Sequence, residues 1–390
     1  MVYRKFQADE LFDGNRLLTG KVLITDAAGR VEALVPETEA GDDVQRLEGI
    51  LTPGLINCHC HLELSHLKDV IPPHTGLIDF LCSVVTKRGF AAEVVQAAIV
   101  AADAEMYRGG IVAVGDIGNT ADTAQVKQQS RIRWQNFVEV LGFTDERAAE
   151  NMQHYQQVAT TLQTALAAAE VPHRTSLVPH APYSISPQTF RMINDATAGA
   201  IISLHNQEHP AEDELYRSGG GSYLQFFRIF GMDTSPFPVT GLSSIRSCLP
   251  YFNKQQTIFL VHNTYMSPED VQWANEYAAA HSLTLVYCIC ANANRYIENR
   301  LPPVAQLVEA GCRLVLGTDS YSSNWQLSIA SEMQTLLQHT RLSKEQVLQM
   351  ATRNGARALR WQDALGSFQP GMQPGVVLVA NDFSKAERLL

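Results

Sequence analysis

The sequence predicts an α/β fold: a (β/α)8 barrel of the TIM type, with a small β-sandwich domain built from both chain ends. Three observations lead to this prediction. Eight apolar segments with strand character recur through the centre of the chain, amphipathic or alanine-rich stretches separate them, and both ends alternate short strands with turns. A doubly wound open sheet is the alternative architecture, although no Gly-x-Gly-x-x-Gly segment follows the first strand. With 45% hydrophobic residues in a chain of 390, the sequence has enough apolar side chains for a large core.

The two chain ends predict the small domain. Short segments of strand-like composition, separated by glycine-containing turns, occur near both termini at residues 17–24, 29–35 and 376–380. We therefore predict two domains, with the small β domain at residues 1–50 and 362–390 and the barrel at residues 51–361.

The central region alternates strands with helices in the order that a barrel requires. We predict eight strands, at Leu51–Asn57, Ile111–Asp116, Trp134–Val140, Thr175–Pro179, Ala200–His205, Thr257–His262, Thr284–Cys290 and Arg313–Thr318. Helical character between them is clearest at Ala91–Tyr107, Arg147–Ala169, Pro268–Ala280 and Leu301–Ala310. A further apolar segment, residues 77–88, follows the first strand, and it either packs on the barrel or covers the pocket as a lid.

Charge and composition argue against several classes of partner. The chain has 30 Lys and Arg residues against 40 Asp and Glu residues, and its net charge of −10 repels phosphate backbones and anionic membranes. We therefore expect no nucleic acid and no membrane among its partners, and no uncharged apolar run approaches the ~18 residues of a membrane span. The charged N-terminus lacks a signal core, and the close pairs Cys58/Cys60 and Cys288/Cys290 are poor disulfide partners. We expect a reduced, cytoplasmic protein.

Polar side chains stand where the predicted strands end, and barrel enzymes carry their chemistry at these ends. The first strand closes with His59-Cys60-His61, and residues i and i+2 of a strand point to the same side. Two imidazoles on one side suit a divalent metal ion, although two partly exposed histidines at a strand end are the simpler interpretation.

Four further strand ends carry a histidine or an aspartate. His180 ends the fourth strand, His205 the fifth, His262 the sixth and Asp319 the eighth. Glu208 follows His205 by three residues, so its carboxyl can reach the same pocket and act as an acid or a base. Each residue alone has an ordinary explanation, such as a solvated loop for Glu208 or an Asx turn for Asp319. Five such strand ends together, counting the first strand, predict an active site.

The motifs at these strand ends also resemble a known family. The chain resembles the amidohydrolase superfamily, in its cytosine deaminase and chlorohydrolase-like branch, through four ordered segments: Pro53–His61, His205-x-x-Glu208, Val261-His262 and Gly317–Ser320. Within that branch it is most similar to aminodeoxyfutalosine deaminases of menaquinone synthesis, through His59–Ser65, His180–Ser184, Val261–Asn263 and Asp319–Asn324. The resemblance covers nearly the whole chain.

The resemblance implies a role for each of these residues. One divalent metal ion, with zinc as the first candidate and iron or manganese as alternatives, would be bound by His59, His61, His205 and Asp319. Glu208 matches the carboxylate that shuttles protons, with Asp319 as a second proton carrier. His262 matches the histidine that contacts the attacking water. His180 matches a histidine that faces the substrate, and Asn324 is a further residue predicted to bind it.

Two local features refine this interpretation. Binuclear relatives carry a carboxylated lysine on the fourth strand, and the segment Arg174–Pro179 has no lysine, which implies a single metal ion. After the seventh strand, many relatives have Cys-Pro-x-Ser-Asn, whereas this chain has Cys290-Ala-Asn-Ala-Asn294 and lacks the proline and the serine. This departure concerns the shape of the loop and the finer substrate preference.

Glu63 is the remaining candidate for substrate binding. It follows His61 by two residues, on the loop that leaves the first strand. Its carboxylate is predicted to face the pocket mouth and accept hydrogen bonds from ribose hydroxyls. An exposed loop carboxylate or part of a helix cap is the alternative interpretation of Glu63.

The predicted function is that of a metal-dependent aminohydrolase, which deaminates an aminated purine-like ring or nucleoside to the oxo compound and ammonia. Its partner would be a small heteroaromatic amine, and a homodimer is an assembly to be tested. One alternative is hydrolysis of another bond on the same site, in a cyclic amide or an aryl chloride. Others are a guanine-type or pterin-type deaminase and a non-catalytic relative that keeps the fold as an interaction protein.

Overall fold

Eight parallel strands close into a barrel in the computed structural model, which describes residues 2–390. They form two four-stranded sheets in chain order, at Leu55–Cys60, Ile111–Gly118, Arg133–Val140, His173–Pro179, Ile201–Asn206, Thr257–His262, Thr284–Ile289 and Leu314–Leu316. Backbone hydrogen bonds join the sheets along both edges. His205 N donates to His180 O at 3.0 Å, and Thr318 N and Asp319 N each donate to His59 O at 3.0 Å. The predicted barrel is therefore confirmed.

Helices follow most of the barrel strands and pack around them. The α-helices span Leu77–Lys87, Ala92–Arg108, Ala124–Gln129, Ala148–Leu166, Pro187–Ala196, Pro210–Ser218, Tyr223–Arg228, Ser244–Cys248, Pro268–Ala280, Ala291–Glu298, Val304–Glu309, Ile329–His339, Lys344–Gln349 and Gly355–Ala358. A π-helical turn spans Met350–Asn354, and short 3-10 helices lie at Glu37–Glu39, Leu62–Leu67, Asp145–Arg147, Pro182–Ser184 and Leu249–Tyr251. Within residues 2–390, no helix combines the length and the apolar character needed to cross a membrane.

Both chain ends build the small β sandwich, as predicted. One sheet contains Tyr3–Gln7, Lys21–Asp26, Val31–Pro36 and Gln45–Arg46, and the other contains Glu10–Phe12, Leu17–Leu18, Ile50–Pro53, Val376–Val379 and Ala386–Arg388. Their facing sides enclose a separate apolar core that includes Phe6, Leu23, Leu51, Phe368 and Val376. Burial of these side chains holds the two ends of the chain together.

One predicted strand is two strands in the structure. Ile50–Pro53 pairs antiparallel with Val376–Val379 in the sandwich, and Leu55–Cys60 begins the barrel. Gly54 lies between them, where a Cβ atom would stand 2.2 Å from Val112 Cγ1. Only glycine lets the chain pass from one sheet to the other at this crowded point. Because of this pairing, the sandwich sheet extends to Pro53, beyond the predicted domain boundary at residue 50. The division of the chain into domains stays a prediction.

Candidate active site

A cavity of about 260 Å³ opens at the carboxyl ends of the barrel strands. The strands are parallel, so their ends meet on one face, and residues far apart in the chain line the same space. His61, His180, His205, His262 and Asp319 all line this cavity, and so does Glu208. The structure therefore brings together the polar strand ends that the sequence singled out.

Three histidines and one aspartate cluster at the floor of the cavity. His61 Nε2 lies 3.3 Å from His205 Nε2 and 3.3 Å from Asp319 Oδ1. His59 is fully buried, its Nε2 lies 3.5 Å from Asp319 Oδ1, and within residues 2–390 neither of its ring nitrogens has a hydrogen-bond partner. Buried imidazole nitrogens without a partner are costly unless a cation occupies the space between them. The four groups fit a divalent metal ion, whose usual ligands are imidazole nitrogens and a carboxylate.

Neighbouring groups fix the orientation of these ligands. His205 Nδ1 donates a hydrogen bond to the carbonyl oxygen of His180 at 2.7 Å, which leaves Nε2 with the free lone pair. The hydroxyl of Ser323 donates to Asp319 Oδ2 at 2.6 Å. Glu139, His180 and His205 also lie close enough to form a second ligand group. The proton on His205 Nδ1 removes the lone pair that this second group would need, so the arrangement favours one metal ion.

The pKa values of the site agree with this arrangement. Burial lowers the pKa of His61 to about 3 and that of His205 to about 4, so both imidazoles are neutral near pH 7 and free to bind a metal. Burial alone would raise the pKa of Asp319, but its contacts with His59 and with the neighbouring histidines hold that pKa well below the ordinary value. Asp319 is therefore an anionic ligand.

The backbone at two of these residues adopts an uncommon conformation. His262 has a φ of 73° and Asp319 a φ of 59°, in the left-handed region that side chains larger than glycine rarely adopt. Such a conformation costs about 1–3 kcal/mol per residue and is typical of functional sites. Next to Asp319, a Cβ atom on Gly317 would stand 2.7 Å from His59 Cβ, so the glycine permits the close approach of strands one and eight.

Glu208 and His262 form the second part of the site. Glu208 Oε1 lies 3.6 Å from His262 Nε2, both residues are buried, and this carboxyl oxygen has no hydrogen-bond partner within residues 2–390. Burial, followed by the charge of Asp319, raises the pKa of Glu208 well above its ordinary value, which favours the protonated form. Asn294 Nδ2 lies 3.3 Å from His262 Nδ1 as a donor, so the ring proton of His262 sits on Nε2.

The three residues predicted to contact substrate lie in different places. Glu63 and His180 line the cavity, whereas Asn324 is not among its lining residues. Asn324 Nδ2 donates to the carbonyl of Thr318 at 2.7 Å and to Glu332 Oε1 at 3.0 Å. Its amide therefore holds the loop after strand eight, and the structure does not bring it to the space where a substrate would bind.

The apolar segment 77–88, which the sequence offers as a cover for the pocket, lines the cavity in the structure. Sequence reasoning missed two polar residues and the rest of the apolar wall. Glu139 is buried at the end of strand three, and burial together with the charge of Glu63 raises its pKa to about 8. Arg88 lies at the end of the first helix and lines the cavity beside Glu63. The wall consists of side chains from the helices Leu77–Lys87 and Tyr223–Arg228 and from nearby segments, among them Leu77, Phe80, Leu81, Val84, Phe143, Phe226 and Phe230. Glu139 could have been found by examining the polar end of the third strand in the same way as the others.

Comparisons with known proteins agree with the fold. A sequence model of the amidohydrolase family matches residues 50–388. The chain is 25% identical to an aminodeoxyfutalosine deaminase of a Nitratiruptor species, over 89% of this chain and 85% of that protein. It is also 25% identical to a 5-methylthioadenosine/S-adenosylhomocysteine deaminase of Teredinibacter turnerae, over 90% of this chain and 77% of that protein.

Solved structures show the same architecture. The aminofutalosine deaminase of Helicobacter pylori, in complex with methylthio-coformycin, aligns with a TM-score of 0.76 at 21% identity, over 97% of this chain and 92% of that one. An adenosine deaminase of Xanthomonas campestris with bound zinc aligns with a TM-score of 0.73 at 22% identity, over 97% of this chain and 84% of that one. From the match over most of its length, together with the clustered histidines and aspartate, we conclude that this chain belongs to the amidohydrolase family.

Proposed function

We propose that this chain is a metal-dependent aminohydrolase that deaminates the adenine-type ring of a nucleoside. The observation that carries the proposal is Glu208, a buried carboxyl with a raised pKa and a free oxygen beside the four candidate metal ligands. A buried acid at this position suits a reaction in which an aromatic ring nitrogen is protonated before its neighbouring carbon is attacked, as deamination requires.

Zinc is the proposed metal, bound by His59, His61, His205 and Asp319. When bound, such an ion supplies a Lewis acid that lowers the pKa of water toward neutrality. The zinc held by the similar adenosine deaminase of Xanthomonas campestris supports this choice. Iron and manganese remain the alternatives, because three imidazoles and one carboxylate suit several divalent ions.

The residues of the chain move the protons. Glu208 gives a proton to the ring nitrogen, which makes the adjacent carbon electrophilic. The N–H of His262 points toward the same space and orients the attacking water. The water oxygen bonds to the ring carbon, and the bond from that carbon to the amino group breaks. Asp319 or Glu208 passes one proton of the water to the departing nitrogen. The second proton of the water returns to Glu208 as the oxo group forms, which restores the acid. The products are the oxo ring and ammonia.

The cavity has features that suit the rest of a nucleoside. His180 lies beside the ligand His205, where it can contact the substrate from a second side. Arg88 and the apolar wall line the same cavity and would receive a bulky 5′ substituent. Aminodeoxyfutalosine is the proposed substrate within this class, supported by the similarity to aminodeoxyfutalosine deaminase. It would place the chain in menaquinone biosynthesis.

A substrate panel tests the proposal. Zinc-reconstituted protein is incubated with aminodeoxyfutalosine, 5-methylthioadenosine, adenosine, adenine and guanine, and ammonia release is measured. We expect activity on the nucleosides, with aminodeoxyfutalosine as the preferred substrate, and none without metal. Activity confined to free bases would move the chain to another deaminase of this family. Hydrolysis of a cyclic amide or an aryl chloride without ammonia release would reject deamination.

We also propose a cytoplasmic location, which is supported by the seven free cysteines, because a secreted protein of this composition would be expected to pair them. The homodimer stays a prediction, which the mass of the purified protein in solution would test.

A further inference from the structure

Glu139 is a buried carboxyl in the cavity that the proposed chemistry does not use. It is the second-last residue of strand three and is 4% exposed. Oε2 accepts one long hydrogen bond, 3.5 Å from Asn119 Nδ2, and within residues 2–390 Oε1 has no hydrogen-bond partner. An unpartnered carboxyl oxygen in a buried position costs free energy unless a ligand supplies a donor.

The nearest polar neighbours of Glu139 do not supply that donor. His180 Nε2 lies 3.8 Å from Glu139 Oε1, and His205 Nδ1 lies 4.0 Å from it, beyond hydrogen-bond distance in both cases. His205 Nδ1 donates to the carbonyl of His180, and His180 Nδ1 pairs with Ser184 Oγ at 2.8 Å. Within residues 2–390, Glu139 Oε1 therefore lacks a hydrogen-bond partner, and His180 Nε2 stands beside it at the cavity.

Glu63 differs from Glu139 because its oxygens already have partners. Glu63 Oε2 accepts hydrogen bonds from Asn119 N at 3.1 Å, Thr120 N at 3.1 Å and Thr120 Oγ1 at 2.9 Å. Glu63 Oε1 lies 3.6 Å from the guanidinium of Arg88. A substrate hydroxyl would have to compete with these groups, so Glu63 is better suited to positioning the loop after strand two and the side chain of Arg88.

We propose that Glu139 is the residue that recognises the ribose hydroxyls of the nucleoside, with His180 Nε2 as the adjacent polar contact. The inference rests on the proposed function, because it assumes a ring held near Glu208 and His262, beyond strands five and six. Glu139 and His180, near the ends of strands three and four, line the same cavity and would face the sugar. Two vicinal hydroxyls offer adjacent donors, and Glu139 Oε1 can accept from one of them even when Oε2 carries a proton. An acidic side chain is also what dinucleotide-binding proteins use for a ribose hydroxyl.

The test compares a ribonucleoside with its 2′,3′-dideoxy counterpart on four proteins: wild type, Glu139→Ala, Glu139→Gln and Glu63→Ala. We expect wild type to prefer the ribonucleoside in kcat/KM by roughly ten- to hundredfold. Glu139→Ala should bring this preference close to one, mainly through KM, while Glu139→Gln keeps an acceptor oxygen and retains part of it. Glu63→Ala should lower kcat/KM for both substrates by a similar factor.

Two controls separate recognition from folding. Metal content and melting temperature are measured for every variant. The second control is Glu150→Ala, which replaces an exposed glutamate and should leave kcat/KM for both substrates unchanged. If Glu139→Ala does not fold, Glu139→Gln still gives a measurable reduction of the preference.

Other results would overturn the inference. An unchanged preference in both Glu139 variants, with metal retained, would reject Glu139 and leave deamination intact. Loss of the preference in Glu63→Ala alone would assign the sugar to Glu63. If wild type itself deaminates free bases and no nucleoside, the proposed nucleoside function fails, and this inference fails with it.

Discussion

The carboxyl of Glu208 and the imidazole of His262 face each other just beyond strands five and six, with 3.6 Å between Oε1 and Nε2. Both groups are buried, and Asn294 fixes the proton of His262 on the nitrogen nearer to Glu208. An acid and an N–H donor thus converge on one small space beside the metal ligands. Catalysis is separable from metal binding at Glu208, which belongs to no candidate ligand group within residues 2–390, whereas His262 groups with His59 and Asp319.

Replacing Glu208 by glutamine should stop proton transfer without emptying the site. Glu208→Gln has the same size and can still form hydrogen bonds, but it cannot give up or take a proton. We expect kcat to fall by roughly a hundredfold or more while metal content stays near that of wild type. Turnover and metal analysis on the same preparation check this. A variant that keeps nearly full activity would show that Glu208 is not the proton carrier.

Removing a metal ligand should lower metal content as well as turnover, unlike the replacement of Glu208. His61→Ala takes one of four ligands from the cluster, so both bound metal and turnover should be lost. Wild type should contain close to one equivalent of divalent metal per chain by elemental analysis. His154→Ala, which replaces an exposed histidine, is the matched control and should keep both metal and turnover. Two equivalents, both needed for activity, would contradict the single-metal site.

Gly317 should be intolerant of even one methyl group. A Cβ atom there would stand 2.7 Å from His59 Cβ and 2.9 Å from the sulfurs of Cys288 and Cys290. Gly317→Ala should therefore push strand eight away from His59, lowering both metal retention and melting temperature. Gly220→Ala is the control, because its Cβ would meet only Ser218 Oγ at 3.4 Å. Equal metal retention in the two variants would argue against this packing constraint.

Two buried carboxyls outside the metal cluster should make stability depend on pH. Burial raises the pKa of Glu212 and of Glu332 to about 8 from an ordinary value of about 4.5. The folded protein thus holds protons that the unfolded chain releases, so the associated stability is fully present below about pH 4.5 and is lost as pH rises through 8. The melting temperature of metal-free protein should fall between pH 6 and pH 9.

Glu212→Gln provides the control for this pH dependence, since it removes one of the buried carboxyls that titrate in this range, which also include Glu139. Its melting temperature should vary less with pH than that of wild type over the same range. A wild-type melting temperature that is constant or rises from pH 6 to pH 9 would show that these carboxyls do not carry the raised pKa values.

Much of the candidate site could be predicted from the sequence because the barrel converts a linear pattern into a spatial one. Parallel strands place their carboxyl ends on one face, so a polar residue directly after each apolar strand predicts a shared site without any knowledge of distances. His59, His61, His205, His262 and Asp319 were found in this way, and all five lie together in the structure. The helix Pro268–Ala280 was predicted with its observed bounds, since the serine and proline at its start form a strong N-terminal signal.

The sequence could not decide which hydrogen-bond partners the individual side chains have. Glu63 and Glu139 are both glutamates near strand ends, and only the tertiary structure shows that the oxygens of Glu63 have partners while Glu139 Oε1 has none. Asn324 lies in a matching motif, yet its amide holds a loop. The predicted first strand is divided at Gly54 because its first half pairs with a segment more than 300 residues away. The local sequence pattern determined which residues lie at strand ends. Hydrogen-bond partners depend instead on contacts between segments that are distant in sequence, and such contacts form only in the folded chain.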